Sequence, residues 1–191
     1  MATPGGSGPI GPYPPGVTSP DEQVAYDKLR RRVLWSLPYG LYLVGSRGAA
    51  VAEVVELNAM TTNWLTQVSF EPKLVGVGIE RPALTHRLVS EGGVFSVCTI
   101  ARDDRAIVRK FTKPVEVDRD AGTLNGFPFH TGVTGAPILD QAPAYLDCEV
   151  RQSVELGNHT FFIGEVVDAA FQADEDTEVL RMEDTRMNYG G

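Results

Sequence analysis

From residue 39 onward the chain is dominated by short apolar runs and by apolar–polar alternation, the pattern of strands. Residues 39–46 form a Gly-flanked apolar run, Arg47-Gly48 reads as a turn, and 51–57 alternate loosely. Residues 73–80 (Lys-Leu-Val-Gly-Val-Gly-Ile-Glu) predict a buried strand whose glycines admit close backbone approach. Residues 94–100 predict another. Two long runs, 144–155 and 160–170, are separated by Leu156-Gly157-Asn158-His159, which contains a Gly-Asn hairpin signal. Residues 123–133 are aromatic and Gly-rich, and the acidic stretch 174–178 leads into a short strand.

Helical signals are few. Ser19-Pro20-Asp21-Glu22 combines a capping serine, a proline at the first helical position and a capping-box glutamate. Acidic residues open this helix and Lys28, Arg30, Arg31 and Arg32 close it, as the helix dipole favours. Val24, Leu29 and Val33 are its expected buried stripe. Residues 82–91 predict a short helix ended by Gly92-Gly93, and 102–111 a charged helical connection. About seven strands with short helices predict a mainly β fold, a closed or nearly closed barrel. Residues 1–18 hold five Gly and five Pro and are expected to be a disordered tail. The alternative is a segment that wraps a partner subunit through Ile10, Tyr13 and Val17. Residues 19–191 are then one domain.

Composition narrows the function classes. With 191 residues and 42% apolar residues, the chain can bury a sizeable core. A net charge of -8 argues against bulk binding to nucleic acid or an anionic membrane. It leaves room for an anionic cofactor held by backbone amides and a few local cations. Cys98 and Cys148 each sit in a strand-like run and read as buried free thiols, a mutual disulfide being the alternative. The first 20 residues have no charged n-region or apolar h-region, so a reducing cytoplasm is expected. No stretch reaches the roughly 18 apolar residues of a membrane span. The three histidines, His86, His130 and His159, show no metal-ligand spacing, so no metal is expected. There is no GxSxG elbow, no GxGxxG after a strand and no P-loop. What remains is chemistry carried by a bound cofactor.

The run 58–72 (Asn-Ala-Met-Thr-Thr-Asn-Trp-Leu-Thr-Gln-Val-Ser-Phe-Glu-Pro) sets small hydroxyl and amide residues among apolar ones. It can serve a flat ring with a polar edge while Met60, Trp64 and Val68 supply apolar walls. This run resembles the flavin-contacting loop of the flavin reductase-like family. Four further pieces resemble the family in the same order: Leu37-Pro38-Tyr39-Gly40, Thr85-His86 after a strand, Gly93-Val94-Phe95-Ser96-Val97, and residues 157–166 beginning Gly-Asn-His. Two departures accompany them. Residues 48–57 match the family poorly, and Asn158 stands where the family often has Asp.

The resemblance implies a mainly β, FMN-binding split β-barrel of Greek-key type with short flanking helices, working as a homodimer. It implies an NAD(P)H:flavin oxidoreductase that passes hydride from NADH or NADPH to FMN, or FAD. Reduced flavin or electrons would go to a partner such as a monooxygenase. The alternative is a flavin-binding electron-transfer or storage protein with little NAD(P)H turnover. The implied cofactor-binding residues in the central run are Asn58, Met60, Thr61, Thr62, Asn63, Trp64, Thr66, Gln67 and Ser69. Arg81, Thr85 and His86 are expected at the flavin phosphate, and His159 is the expected catalytic residue. His130 is expected to be structural or at the substrate rim. The tail 186–189, including Tyr189, either folds over the site or is simply packed.

Overall fold

The structure, a computed structural model, describes residues 11–185 and Met187. Ile10 and Tyr189, named above as tail contacts, lie outside the described residues. The chain forms two compact units, one of them Tyr39–Thr185 and the other containing the segment up to Pro38.

In the N-terminal unit, helix α1 (Pro20–Leu34) starts as its sequence dictates. Ser19 accepts from the Glu22 N–H, and the Glu22 carboxylate accepts from the Ser19 N–H in return. These bonds and the neighbouring Thr18 N–H hold the Glu22 carboxyl down at about 2. Tyr13 packs edge-on against Tyr26, donates to Asp27, and lies with Tyr26 beneath the Arg30 guanidinium. The expected buried stripe does not form. Val24, Leu29 and Val33 are 53%, 53% and 59% exposed. The reason is angular: with 3.6 residues per turn, Val24 and Val33 lie on opposite sides of the helix.

In the larger unit the strands are β1 (Tyr42–Arg47), β2 (Leu57–Thr62), β3 (Leu65–Ser69), β4 (Leu74–Glu80), β5 (Val94–Thr99), β6 (Val117–Asp118), β7 (Thr123–Leu124), β8 (Phe127–Thr131), β9 (Pro137–Leu139), β10 (Ala144–Leu156) and β11 (His159–Phe171). Seven of them form one antiparallel sheet in the order β2-β1-β5-β10-β11-β4-β3. Its two edge strands, β2 and β3, are consecutive in the chain and joined only by Asn63 and Trp64. In a flat sheet the two edges would stand about 29 Å apart at ordinary strand spacing. Three residue steps reach about 11 Å at most. The sheet therefore curls until its edges meet at the 63–64 corner, which is the barrel expected from the strand count.

The barrel core is Val44, Val75, Val77, Ile79, Phe95, Val97, Cys148 and Phe162, with Val89 contributed by helix α2 (Leu84–Gly92). Each large apolar side chain fully buried here contributes about 1.5–3 kcal/mol. Gly93, with φ of +67°, ends α2 in the left-handed conformation that glycine adopts without strain. Both cysteines are free and buried, and burial pushes each thiol up to about 12. A second sheet, β6-β7-β8-β9, lies beside the barrel.

Three local expectations are corrected. Residues 102–111 form two 3-10 turns, Arg102–Asp104 and Ile107–Phe111, not one helix. Neither start has a side-chain cap, and each piece is too short to recover the cost of helix nucleation. Residues 51–54 form a turn closed by a Val51–Val54 bridge, with both valines exposed. Among the described residues after the acidic stretch there is no strand but single bridges at Val179 and Arg181, around buried Leu180.

The turn from β8 to β9 is clamped from two sides. Asp147, fully buried on β10, accepts from both the N–H and the hydroxyl of Thr134, at 2.8 and 2.6 Å. Arg47 donates to the Thr134 carbonyl at 2.7 Å. Asp147→Asn keeps the side-chain shape but removes one acceptor. It is expected to cost about 1–2 kcal/mol, read as a lower urea midpoint at unchanged slope.

Candidate functional site

The 63–64 corner is an irregular pair of residues forced between two strands, and the Trp64 backbone is bonded through both its N–H and its carbonyl. The Trp64 N–H donates to the Thr62 hydroxyl at 3.3 Å, and the Trp64 carbonyl accepts from the Gly78 N–H at 2.9 Å. The Asn63 side chain is not bonded. It is 2% exposed, and neither its oxygen nor its nitrogen has a hydrogen-bond partner. Leaving such groups unpaired inside a protein costs about 1–3 kcal/mol each. A buried amide of this kind, at the seam of a barrel, is where a ligand with complementary donors and acceptors belongs.

Beside the corner is a cleft of about 460 Å³ lined by Tyr39, Trp64, Leu65, Thr66, Gly78, Leu156, Asn158, His159 and Phe161. Its floor depends on the two glycines of β4. A Cβ at Gly76 would stand 2.1 Å from the Phe161 ring, and one at Gly78 would stand 3.2 Å from Trp64. The glycines are thus seats for two aromatic walls. Trp64 also leans on His159, with ring centroids 4.6 Å apart and planes tilted 47°. An apolar, aromatic-walled cleft with a few polar groups at its rim suits a flat heteroaromatic ligand.

The structure brings Trp64, Thr66 and His159 into the cleft and places Asn63 next to Trp64 at the corner. Other residues singled out from sequence are engaged elsewhere. Asn58 donates to the Thr85 hydroxyl at 2.8 Å and accepts from the Val115 N–H at 3.0 Å, tying β2 to the first turn of α2. Thr61 donates to the Val108 carbonyl. Met60 packs against the barrel core. Gln67 and Ser69 lie on the edge strand β3, where the Gln67 amide donates to the Ser69 carbonyl. Thr66, besides lining the cleft, donates to the Gln67 carbonyl. Arg81, half-exposed, lies 3.5 Å from Glu155. His130 pairs with Asp140 at 2.7 Å outside the cleft. Sequence reading missed Tyr39, Leu65, Leu156, Asn158 and Phe161 as cleft residues. The two glycines of β4 were the available signal, since each implies a large neighbour across the sheet.

At the start of α2, Ala83 offers no side-chain cap. Arg81 and His86 stand close to that end, and His86 Nε2 lies 2.8 Å from the Thr160 hydroxyl. Burial lowers the His86 value, helped by the nearby Arg81 charge, and burial also lowers that of His159. In both cases the surroundings favour the neutral ring. A folded-state value below the unfolded 6.5 means that the unfolded chain binds more protons between the two. The stability these rings contribute is present above about pH 6.5 and is lost as pH falls toward the lowered values.

Comparison with known proteins gives a consistent answer. Residues 34–191 match the family model described as flavin reductase like domain. The ferric-chelate reductase (NAD(P)H) of Archaeoglobus fulgidus is 30% identical over 163 residues, 82% of this chain and 89% of that protein. The high molecular weight rubredoxin of Moorella thermoacetica is 28% identical over 141 residues, 73% of this chain but only 58% of its own length. The NADH:FAD oxidoreductase SgcE6 of Streptomyces globisporus, solved in complex with NAD and FAD fragments, superposes with a TM-score of 0.66 at 27% identity, over 85% of this chain and 89% of that one.

Proposed function

Because the chain belongs to the flavin reductase like domain family, we propose that it is an NAD(P)H:flavin oxidoreductase working on FMN, or FAD, with NADH or NADPH as hydride donor. The observation that carries this reading is the buried, unpartnered Asn63 amide at the corner beside the glycine-floored cleft. The pyrimidine edge of a flavin alternates carbonyl acceptors with an N–H donor, the complement of a primary amide. The residues present fit that group. When bound, a flavin supplies the two-electron acceptor for hydride from a nicotinamide.

The chain's own residues divide the remaining work. Asn63, with Thr61 and Thr62 at the end of β2 and Thr66, Gln67 and Ser69 on β3, serves the polar edge of the ring, Thr61 and Gln67 by exchanging their present bonds to carbonyls. Met60 and Trp64 give it apolar contact. Arg81, Thr85 and His86 serve the phosphate at the uncapped start of α2, and Asn58 holds Thr85 in place. His159 receives the nicotinamide side of the reaction, its neutral ring available as a hydrogen-bonding group. His159→Ala is expected to slow flavin reduction by about tenfold or more while FMN affinity changes less than threefold. An unchanged reduction rate in stopped flow would make this histidine structural.

The protein is further proposed to act as a homodimer in a reducing cytoplasm, passing reduced flavin or electrons to a partner such as a monooxygenase. Phe70, 80% exposed, with Val68, Val167 and Phe171, leaves apolar side chains exposed on β3, β11 and the β3–β4 turn. Sedimentation velocity tests the pairing: a twofold mass is expected and a monomer contradicts it. We further propose that the functional domain begins at residue 19. Flavin binding itself is tested by titrating FMN into the purified protein and following quenching of flavin fluorescence. Saturable quenching is the expected result, and no quenching at tens of micromolar protein overturns the reading.

A further inference from the structure

We propose that Asn158 is a positioning residue that sets the tautomer of His159. The proposal rests on the flavin reductase reading for its purpose, but not for its geometry. Asn158 is the second residue of the two-residue loop between β10 and β11, after Gly157 at φ of +53°. A positive φ at the first loop position but not at the second is the arrangement of a type II′ hairpin turn. The Asn158 carbonyl accepts from the Arg81 N–H at 3.0 Å, which ties the loop to the end of β4. Its side-chain oxygen then lies 2.8 Å from Nδ1 of His159. A carbonyl oxygen only accepts, so Nδ1 carries the hydrogen and Nε2 keeps its lone pair.

The ring is held from two sides, by Asn158 and by Trp64. The other histidines are held differently: His130 by the Asp140 carboxylate and His86 through Nε2 by the Thr160 hydroxyl. The charged group facing His159 is Glu80, directly opposite it on β4, while the Arg81–Glu155 pair acts on His86. Glu80 favours the protonated ring and burial opposes it. Asn158 orients the ring without adding a charge. A carboxylate at this place would stabilise imidazolium. With Asn, His159 is a neutral ring lining the cleft whose Nε2 accepts a hydrogen bond. The carboxamide N–H of a nicotinamide is a donor of the right class.

The test needs no flavin. Long-range ¹H–¹⁵N spectra of the uniformly labelled, flavin-free protein report which ring nitrogen is protonated, with His159 identified by its loss in His159→Gln. The Nδ1–H form is expected at pH 7.5. It is expected to disappear in Asn158→Ala. Asn158→Asp, which keeps the side-chain size, should retain it and move the His159 titration upward by about one pH unit. In the same variants the pH profile of flavin reduction should follow: the acidic limb rises by about one unit in Asn158→Asp, and the nicotinamide KM rises about tenfold in Asn158→Ala. An Nε2–H form in the native protein, or an unchanged spectrum in Asn158→Ala, overturns the proposal whatever the activity. Failure to reduce flavin instead overturns the reductase reading, whatever the spectrum.

Discussion

Asn63→Ala is expected to raise the FMN dissociation constant about thirtyfold while leaving the flavin-free protein as stable as before, or more so. The two effects come from one fact. In the flavin-free chain both amide atoms of Asn63 are buried and unpartnered, so removing them removes a desolvation cost. In the complex the same atoms are proposed to meet the polar edge of the ring. Losing two such bonds costs about 2 kcal/mol, which is about thirtyfold in affinity. Truncation also leaves a small void, which limits the gain in stability. Fluorescence titration and a thermal melt on the same preparation separate the outcomes. A melt several degrees lower with unchanged affinity would make the amide a structural residue and move the flavin elsewhere.

Gly45→Ala is expected to lose about 3 kcal/mol or more of stability, read as a lower urea midpoint. Gly45 is central in β1, where that strand faces β9 of the second sheet. A Cβ there would stand 2.1 Å from the Pro137 carbonyl oxygen and 2.3 Å from the Ser96 hydroxyl. The Ser96 hydroxyl already donates to that same carbonyl at 2.5 Å. Neither obstacle is the end of a long flexible side chain, so the added methyl must be accommodated by moving backbone. The docking of β9 on the barrel would open, and its buried Ile138 and Leu139 would lose their packing. A midpoint within experimental error of the parent would show that β9 moves freely against β1.

Much of the fold could be read from local pattern. The capping box at Ser19, the Gly93 stop and the 157–158 hairpin are short-range devices, and each stands where its residues put it. The apolar runs became strands for the same reason. What could not be read was which strand lies beside which. The run 58–72 looked like one ligand-contacting loop. It is two strands at opposite edges of a seven-stranded order, and only Asn63 and Trp64 between them are irregular. Nothing local announces this, because the pairing of β2 with β1 and of β3 with β4 is decided by the rest of the barrel. Asn58 and Thr85 show the same limit. Both are polar residues near the expected site, yet their side chains bond each other. Phe161 looked like an ordinary strand residue. Its role as a cleft wall follows from its register opposite Gly78 and from the space left by Gly76. On α1 the apolar residues were legible but not their angular separation, so a stripe was expected where none exists.

The central claim, that this barrel corner holds a flavin which a nicotinamide reduces, is tested most directly under anaerobic conditions. Protein with FMN is mixed with NADH, and separately with NADPH, in a stopped-flow instrument, and the flavin band near ~450 nm is followed. Bleaching is expected within seconds, much faster than for free FMN, saturating with nicotinamide and slower in His159→Ala. Bound flavin that stays oxidised with both nicotinamides would make the protein an electron carrier and contradict the reductase reading.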